Sequence, residues 1–230
     1  MGTITILPET TKDPVSLIGR SAGVCWGADV TDEEKNYKRG IYCMESNHGR
    51  AIEFPDVYMV IDGYSAKCLR EYYTHIGCLP SRLQASTRYI DYSKGDGFDY
   101  VTPHSIEKHE KANREWKALM RITNDLISRF INKYDIPVED ATMALPLTYK
   151  SKMVDKRNLR NLIDMSRQRM CSRAYWEFRE MLNDIYTALR EYSPEWSYLI
   201  DAQMKPKCEI LGYCPEKRSC GRKPKKNAGN

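Results

Sequence analysis

The segment between Glu107 and Tyr134 constrains the fold of this chain more than any other. Its apolar residues recur at intervals of three and four, and Pro137 follows its end. They are Trp116, Leu119, Met120, Leu126, Ile127, Phe130, Ile131 and Tyr134. That spacing places them on one face of an α-helix. We therefore predict a long amphipathic helix over this segment.

Three further segments carry patterns of secondary structure. Val57–Gly63 is β-prone and ends on a turn residue, and Ala66–Tyr73 has the apolar spacing of a short helix. The stretch from Arg157 to about Tyr192 is typical of a second long helix, which Pro194 ends. We therefore predict that the first half is richer in strands and the second richer in helices, without regular alternation of strands and helices. We predict an α+β fold with an antiparallel or mixed sheet flanked by long helices.

Length and composition limit the class of protein. The chain has 230 residues, of which 41% are apolar, so it can bury a sizeable core and is not wholly disordered. No stretch approaches the roughly 18 consecutive apolar residues that a membrane-spanning helix needs. The N-terminal sequence lacks the charged-then-apolar order of a signal peptide. We expect a cytoplasmic protein with one catalytic domain over residues 1–204 and no membrane partner.

Residues 205–230 form a separate, basic C-terminal tail in this interpretation. The net charge of +5 is concentrated there, in Lys217, Arg218, Arg222, Lys223, Lys225 and Lys226. A Lys-rich terminus is more often a solvated tail than a nucleic-acid contact, so we assign it no functional role.

The same tail holds Cys208, Cys214 and Cys220 at equal spacing. These lack the closely spaced cysteine pairs of most structural zinc sites, and packing explains them more simply. We predict no metal site. All eight cysteines of the chain are expected to be free thiols, because they are scattered through a mid-sized sequence without an export signal.

The loop Pro80–Tyr89 is a candidate anion-binding segment. Arg88 offers a planar pair of donors for an oxyanion, and Ser86 and Thr87 add hydroxyl and backbone amide donors. An ordinary polar loop, in which Arg88 pairs with a nearby acid, is the alternative, and these residue types alone favour it.

A second candidate site consists of residues spaced four apart in the segment predicted to be the C-terminal helix. They are Arg157, Asn161, Met165, Arg169 and Arg173. On one helix these side chains would share a cationic face, which favours a polyanionic ligand such as a nucleotide or FAD. The alternative is a solvated basic stripe that Asp164 and Glu177 partly neutralise.

Together these motifs resemble those of the flavin-dependent thymidylate synthases. Ser86-x-Arg88-Tyr89 is similar to the end of the motif that follows the family's Arg-His-Arg triplet. Arg157–Asn161 resembles the Asn-Ala-Arg-x-Leu-x-Asn element, and Arg169 with Ala174–Arg179 resembles the Arg-x4-Ala-x-Trp-Glu-Ile-Arg element. More weakly, the resemblance extends from residue 22 to about residue 191.

The resemblance implies an enzyme that methylates dUMP at carbon 5 as a homotetramer with shared active sites. FAD would be the cofactor, methylenetetrahydrofolate the carbon donor and NADPH the reductant, while no cysteine attacks the pyrimidine. Arg169 would contact the pyrimidine and favour its ionisation at N3, as the catalytic residue. Carried over by position, Gln84, Ser86, Thr87 and Arg88 would bind dUMP, and His75, Arg157, Asn161 and Arg173 would bind FAD.

Several positions depart from the family pattern. Thr74 and Ile76 replace the two arginines that flank the triplet's histidine, and Arg82 is a candidate substitute for one of them. Gln84 replaces a glutamate and Thr142 an arginine. Losing a charge-assisted contact costs roughly 1.5 to 3 kcal/mol unless another donor replaces it. Two alternatives therefore remain open: a relative that methylates or hydroxymethylates another pyrimidine nucleotide, and a non-catalytic nucleotide- or RNA-binding protein.

Overall fold

A four-stranded antiparallel sheet forms the centre of the computed structural model, which describes residues 2–226. The strand order is β1-β2-β4-β3. The strands are β1 (Thr3–Ile6), β2 (Asp56–Ser65), β3 (Ser81–Gln84) and β4 (Lys150–Asn158). The α+β class and the strand predicted at Val57–Gly63 are thereby confirmed.

Ten α-helices surround the sheet within residues 2–226. They are α1 (Pro14–Cys25), α2 (Glu33–Glu45), α3 (Ala66–Tyr72), α4 (His104–Glu107), α5 (Glu110–Asn132), α6 (Val138–Ala141), α7 (Leu159–Arg169), α8 (Trp176–Tyr192), α9 (Pro194–Gln203) and α10 (Lys207–Leu211). The helices predicted at Glu107–Tyr134 and Ala66–Tyr73 are confirmed as α5 and α3. Among the described residues, no helix is long and apolar enough to cross a membrane.

The sheet buries one face only. Along β2, Val57, Met59 and Ile61 are fully buried, while the residues between them are partly exposed. This alternation follows from the period of two in a strand, which sends successive side chains to opposite faces. The buried face packs against α3, α7 and α8, whose Leu69, Leu162, Phe178, Met181, Leu182 and Ile185 belong to the same core.

Helices α1 and α2 form a close antiparallel pair that the sequence analysis missed. A β-carbon added at Gly19 would collide with the backbone oxygen of Asn36, and one added at Gly40 with that of Val15. Glycine at both crossing points therefore lets the two backbones approach. The first half does hold three of the four strands, as expected, but it also holds these two helices.

The predicted helix from Arg157 to Tyr192 is also wrong. Residues 150–158 form β4, and residues 170–175 interrupt the helical stretch between α7 and α8. Pro194 does follow the end of α8, as expected, but it also begins α9. Proline suits the first turn of a helix because the missing N–H has no partner there.

The polar segment Pro80–Tyr89 was expected to be a loop throughout. Its first part instead forms β3, in which Ser81 pairs with Lys156 and Gln84 with Met153. Only the residues after Gln84 remain a loop, and β3 is an edge strand of the sheet.

Helix α5 packs outside the main core. Its Met120 and Ile127 are buried with Phe98 in a second, smaller cluster. Leu119 and Ile122 are 52% and 58% exposed. The helix therefore buries only part of its apolar face within this chain.

The C-terminal segment folds back onto the chain between α7 and α8. The Arg222 guanidinium donates to the Met170 carbonyl at 3.3 Å, and an ion pair of 2.9 Å joins Arg173 to Glu216. Residues 205–226 therefore lie against the catalytic domain proposed from the sequence, and residues 227–230 lie outside the described part of the chain.

Candidate functional site

An open cleft of about 640 Å³ lies between the turn after α3, one face of α7, and α10. His75 and Gly77 line it on one side and Asn161 on another. Two residues that were predicted to bind the cofactor, His75 and Asn161, are thus brought together although they are far apart in sequence.

Arg169, the predicted catalytic residue, contacts the wall of this cleft. Its Nε–H donates to His75 Nε2 at 2.9 Å and its Nη1 to Glu71 Oε2 at 2.8 Å. A longer contact of 3.4 Å joins Nη2 to Thr74 Oγ1, and the guanidinium lies 4.7 Å from the ring centre of Phe178. Arg169 is therefore held in one orientation by groups from α3, the following turn and α8.

His75 is neutral in this arrangement. Burial and the positive charges of Arg169, Arg157 and Arg82 lower its pKa from 6.5 to about 4. Because Nε2 accepts a hydrogen bond from Arg169, the ring proton resides on Nδ1. The His75 ring also packs edge-on against Phe178 at 5.7 Å.

Arg157 lies on β4 and not on a helix, so it does not share a helical face with Asn161, Arg169 and Arg173. Its side chain is fully buried, and it donates to the Asp155 carboxylate from Nε at 2.6 Å and from Nη2 at 2.8 Å. The guanidinium also lies 3.9 Å above the ring of Tyr72. Its guanidinium is therefore surrounded by protein groups, and it has no accessible surface with which to contact a ligand.

Asn161 links this buried arginine to the cleft. Its Oδ1 accepts from Arg157 Nη1 at 2.6 Å. Its Nδ2 donates to the Gly77 carbonyl at 2.6 Å and to the His75 carbonyl at 3.3 Å. The amide therefore fixes the turn that carries His75.

Arg173 lies in the segment between α7 and α8, where the helical expectation fails. Its guanidinium is half-exposed and pairs with Glu216 of the C-terminal segment at 2.9 Å. It lines a neighbouring cavity of about 410 Å³ and not the cleft of His75.

Four of the eight free thiols line that neighbouring cavity. They are Cys171, Cys208, Cys214 and Cys220. Bonds from Ser172 and the Arg222 backbone lower the pKa of Cys220. Across residues 2–226, no three His, Cys, Asp or Glu side chains are arranged to hold a metal ion.

Four of the residues predicted to bind the substrate, Gln84, Ser86, Thr87 and Arg88, do not line the cleft of His75, whereas the fifth, Arg169, contacts it. Between Ser81 and Gln84, β3 advances roughly 10 Å along β4, and the loop Ser86–Arg88 follows its far end. Within the described residues, no hydrogen bond or ion pair joins that loop to His75 or Arg169. The structure therefore separates the two predicted groups within one chain.

That loop is anchored by neighbours of its own. Gln84 Nε2 donates to Ser151 Oγ at 3.2 Å. The hydroxyl of the buried Thr142 has one proton to donate, and it lies 2.8 Å from the Val138 carbonyl and 3.1 Å from the Thr87 carbonyl. Thr142 is thus a structural anchor here. Arg88 packs on the Tyr89 ring at 5.2 Å, with its guanidinium exposed.

Three charged residues that were not predicted from the sequence pair with, or lie close along the chain to, the predicted site residues. Glu71 pairs with Arg169, and Asp155 pairs with Arg157. Arg160, on the first turn of α7, is 43% exposed and lies 3.6 Å from Glu53. A signal for the second pair existed, because Ser151, Met153, Asp155 and Arg157 alternate at the period of a strand.

Comparisons with known proteins agree on one protein family. The family model described as "Thymidylate synthase complementing protein" matches residues 6–195. A flavin-dependent thymidylate synthase of Nitratidesulfovibrio vulgaris is 30% identical over 235 residues, covering 93% of this chain and 92% of the relative. One of Pyrococcus horikoshii is 35% identical over 177 residues, covering 74% of this chain and 69% of the relative.

Solved structures share the fold at 18% identity. A thymidylate synthase of Helicobacter pylori, solved with FAD and dUMP, superimposes with a TM-score of 0.68 and covers 89% of this chain and 100% of its own. A UMP/dUMP methylase of Streptomyces cacaoi, solved with 5-Br dUMP, gives a TM-score of 0.70 and covers 88% of this chain and 95% of its own.

Proposed function

The chain belongs to the flavin-dependent thymidylate synthase family, and from this membership we propose that it methylates dUMP to dTMP. Methylenetetrahydrofolate would donate the carbon and NADPH the reducing equivalents. Bound FAD, once reduced, supplies the hydride chemistry. The observation that carries the proposal is the contact between Arg169 and His75, because the family motifs assign these two residues to substrate and cofactor.

Arg169 is suited to polarise a pyrimidine. Glu71 and His75 hold two of its nitrogens, while the third makes only a 3.4 Å contact with Thr74. That third nitrogen, Nη2, keeps donor capacity for a pyrimidine oxygen. A fixed cation beside this oxygen stabilises the negative charge that ionisation at N3 produces.

The walls of the cleft fit the mixed chemistry of FAD. Neutral His75 offers its Nδ1–H as a donor, and Asn161 fixes the turn beside it. The buried Nε–H of Arg167, which also lines the cleft, has no acceptor within residues 2–226. That nitrogen is inaccessible from the cleft, but the Arg167 side chain is 39% exposed, so its outer guanidinium nitrogens can donate to a bound phosphate.

Arg157 was predicted to contact the cofactor, but its side chain is fully buried. Arg157 has no exposed surface to offer, whereas Arg160 is 43% exposed one turn further on. Arg157 and Asn161 therefore have a supporting role, and Arg160, which does not line the cleft of His75, is the exposed arginine available to a part of the cofactor that reaches beyond this cleft. Arg173 keeps its proposed role only if Glu216 releases it.

Association of several chains would complete the site. Gln84 ends β3 and the loop Ser86–Arg88 follows it, so in this proposal a second chain brings its copy of that loop to the cleft of His75, which Arg169 contacts. Apolar surface supports such association. Leu83 and Val154, paired across the open sheet face, are 80% and 42% exposed, and α5 adds its exposed apolar residues. We propose a homotetramer with shared sites.

A turnover assay tests this function. Purified protein is incubated with dUMP, methylenetetrahydrofolate, FAD and NADPH, and the nucleotide product is identified by mass. We expect dTMP. Protein that binds no FAD at tens of micromolar and makes no product would contradict the proposal and favour a non-catalytic nucleotide-binding protein.

A second candidate differs only in the nucleotide. Thr74 and Ile76, which replace charged family residues, line the cleft, and the Streptomyces cacaoi neighbour is a UMP/dUMP methylase. The same assay with UMP or dCMP in place of dUMP separates the candidates. Faster turnover of either one, or a hydroxymethylated product, would replace dUMP methylation as the activity.

A further inference from the structure

The C-terminal segment contributes a wall to the candidate cleft. Helix α10 lies beyond residues 6–195, which the family model matches. Contacts of Arg173 with Glu216 and of Arg222 with Met170 hold the segment over the end of α7. As a result, Lys207 lines the same cleft as His75.

Lys207 supplies a positive charge that no acidic group offsets. Its side chain is exposed, and it makes no ion pair with any other residue between 2 and 226. Its ammonium is therefore free to meet an anion.

Arg167 is the second cation of the same cleft. It makes one exposed contact of 3.2 Å with Asp164, three residues earlier on α7. Its buried Nε–H has no acceptor among the described residues. Lys207 and Arg167 together outweigh Asp164, the acidic residue among the cleft walls, so the cleft favours an anion.

The rest of the wall is apolar where α10 meets the cleft. Ile210 and Leu211 are 52% and 38% exposed and line it beside Lys207. Across the cleft, Thr74 and Ile76 carry no charge. The cations of this cleft therefore come from α7 and from the C-terminal segment, next to an apolar surface that suits a planar ring.

We propose that Lys207 and Arg167 bind the diphosphate of FAD, with Ile210 and Leu211 covering an adjacent part of the cofactor. This inference rests on the proposed function. The C-terminal segment is then a working part of the cofactor site. Neutralising Lys207 should weaken the flavin complex without disturbing the fold, because the Lys207 side chain is exposed.

Titration of the full-length protein with FAD tests the proposal. Lys207→Gln is compared with Lys217→Gln, a matched control because Lys217 is an exposed lysine of the same segment outside the cleft. We expect Lys207→Gln to weaken FAD binding roughly 10-fold, as loss of one charge-assisted contact does, and Lys217→Gln to bind like wild type. Lys207→Arg should retain most of the affinity.

Titrations with riboflavin and with dUMP identify which ligand group Lys207 contacts. Riboflavin carries no phosphate, so its affinity should be unchanged by Lys207→Gln. Equal FAD affinity in wild type, Lys207→Gln and Lys217→Gln would overturn this inference and leave the proposed function intact. A loss confined to dUMP would also overturn it, because the cation would then serve the substrate. Wild-type protein that binds no FAD would refute the proposed function together with this inference.

Discussion

The buried ion pair between Asp155 and Arg157 should be a large contributor to the stability of this protein. Asp155 is fully buried and accepts both the Nε and Nη2 donors of Arg157, at 2.6 and 2.8 Å. The Tyr72 hydroxyl donates to the same carboxylate at 3.0 Å. Asp155→Asn keeps the shape of the side chain but leaves the guanidinium charge without a counter-charge.

Removing one partner of a buried pair costs about 3 to 5 kcal/mol, because the remaining charge stays desolvated. For a domain of this size, each kcal/mol lowers the midpoint of thermal unfolding by about 2 to 4 °C. Asp155→Asn should therefore lower that midpoint by roughly 6 to 20 °C. Circular dichroism at pH 7, without ligands, measures it, and urea unfolding gives the free energy directly.

Asp201→Asn is the matched control. Asp201 is 69% exposed and pairs with Arg190 at 2.7 Å, so the same chemical change there should cost less than about 1 kcal/mol. A double variant, Asp155→Leu with Arg157→Met, should regain much of the loss, since an apolar pair leaves no buried charge. Equal shifts for Asp155→Asn and Asp201→Asn would refute this reasoning, because they would show that water reaches the pair.

Three further predictions concern the site and the assembly. Arg169→Ala should slow turnover about 100- to 1000-fold. Arg169→Lys should recover only part of the lost rate, because an ammonium lacks the planar pair of donors that a guanidinium offers. Near-normal turnover by Arg169→Ala would contradict the role assigned to Arg169. Since the pKa of His75 falls from 6.5 to about 4 on folding, only the unfolded chain gains this proton as the pH drops through that range, so stability should decrease from pH 6.5 towards 4. His75→Gln should flatten this slope in unfolding experiments at several pH values, and an unchanged slope would show that His75 is not buried and neutral. Light scattering should give the mass of a tetramer, whereas a stable and active monomer would exclude shared sites.

Elements with a strong local pattern could be predicted from the sequence alone. Helix α5 follows from its three-and-four spacing, and β2 follows from a β-prone run that ends at a turn. These patterns arise because one face of each element is buried, which marks the sequence regardless of what covers it. The family motifs at Ser86–Tyr89 and Ala174–Arg179 were equally local, and the comparisons confirm the family that they indicated.

The positions of the charged side chains, in contrast, depend on tertiary packing. Arg157 and Asn161 are four residues apart, which suggested one helix face, but a strand ends between them and leaves Arg157 buried. Asp155 and Arg157 are hydrophilic in any sequence scale. Their burial depends on Tyr72, a residue of α3 that reaches them only in the folded chain.

The partners of Arg169 were hidden for the same reason. Glu71 and His75 are far from it in sequence, and nothing in the spacing around Arg169 points to them. The separation of Arg88 from that cleft likewise follows from the register of β3 on β4, which no local pattern specifies. Local periodicity reports which side of an element is buried, but contacts between distant charged groups depend on how the elements pack, so the fold class was predictable and the layout of the site was not.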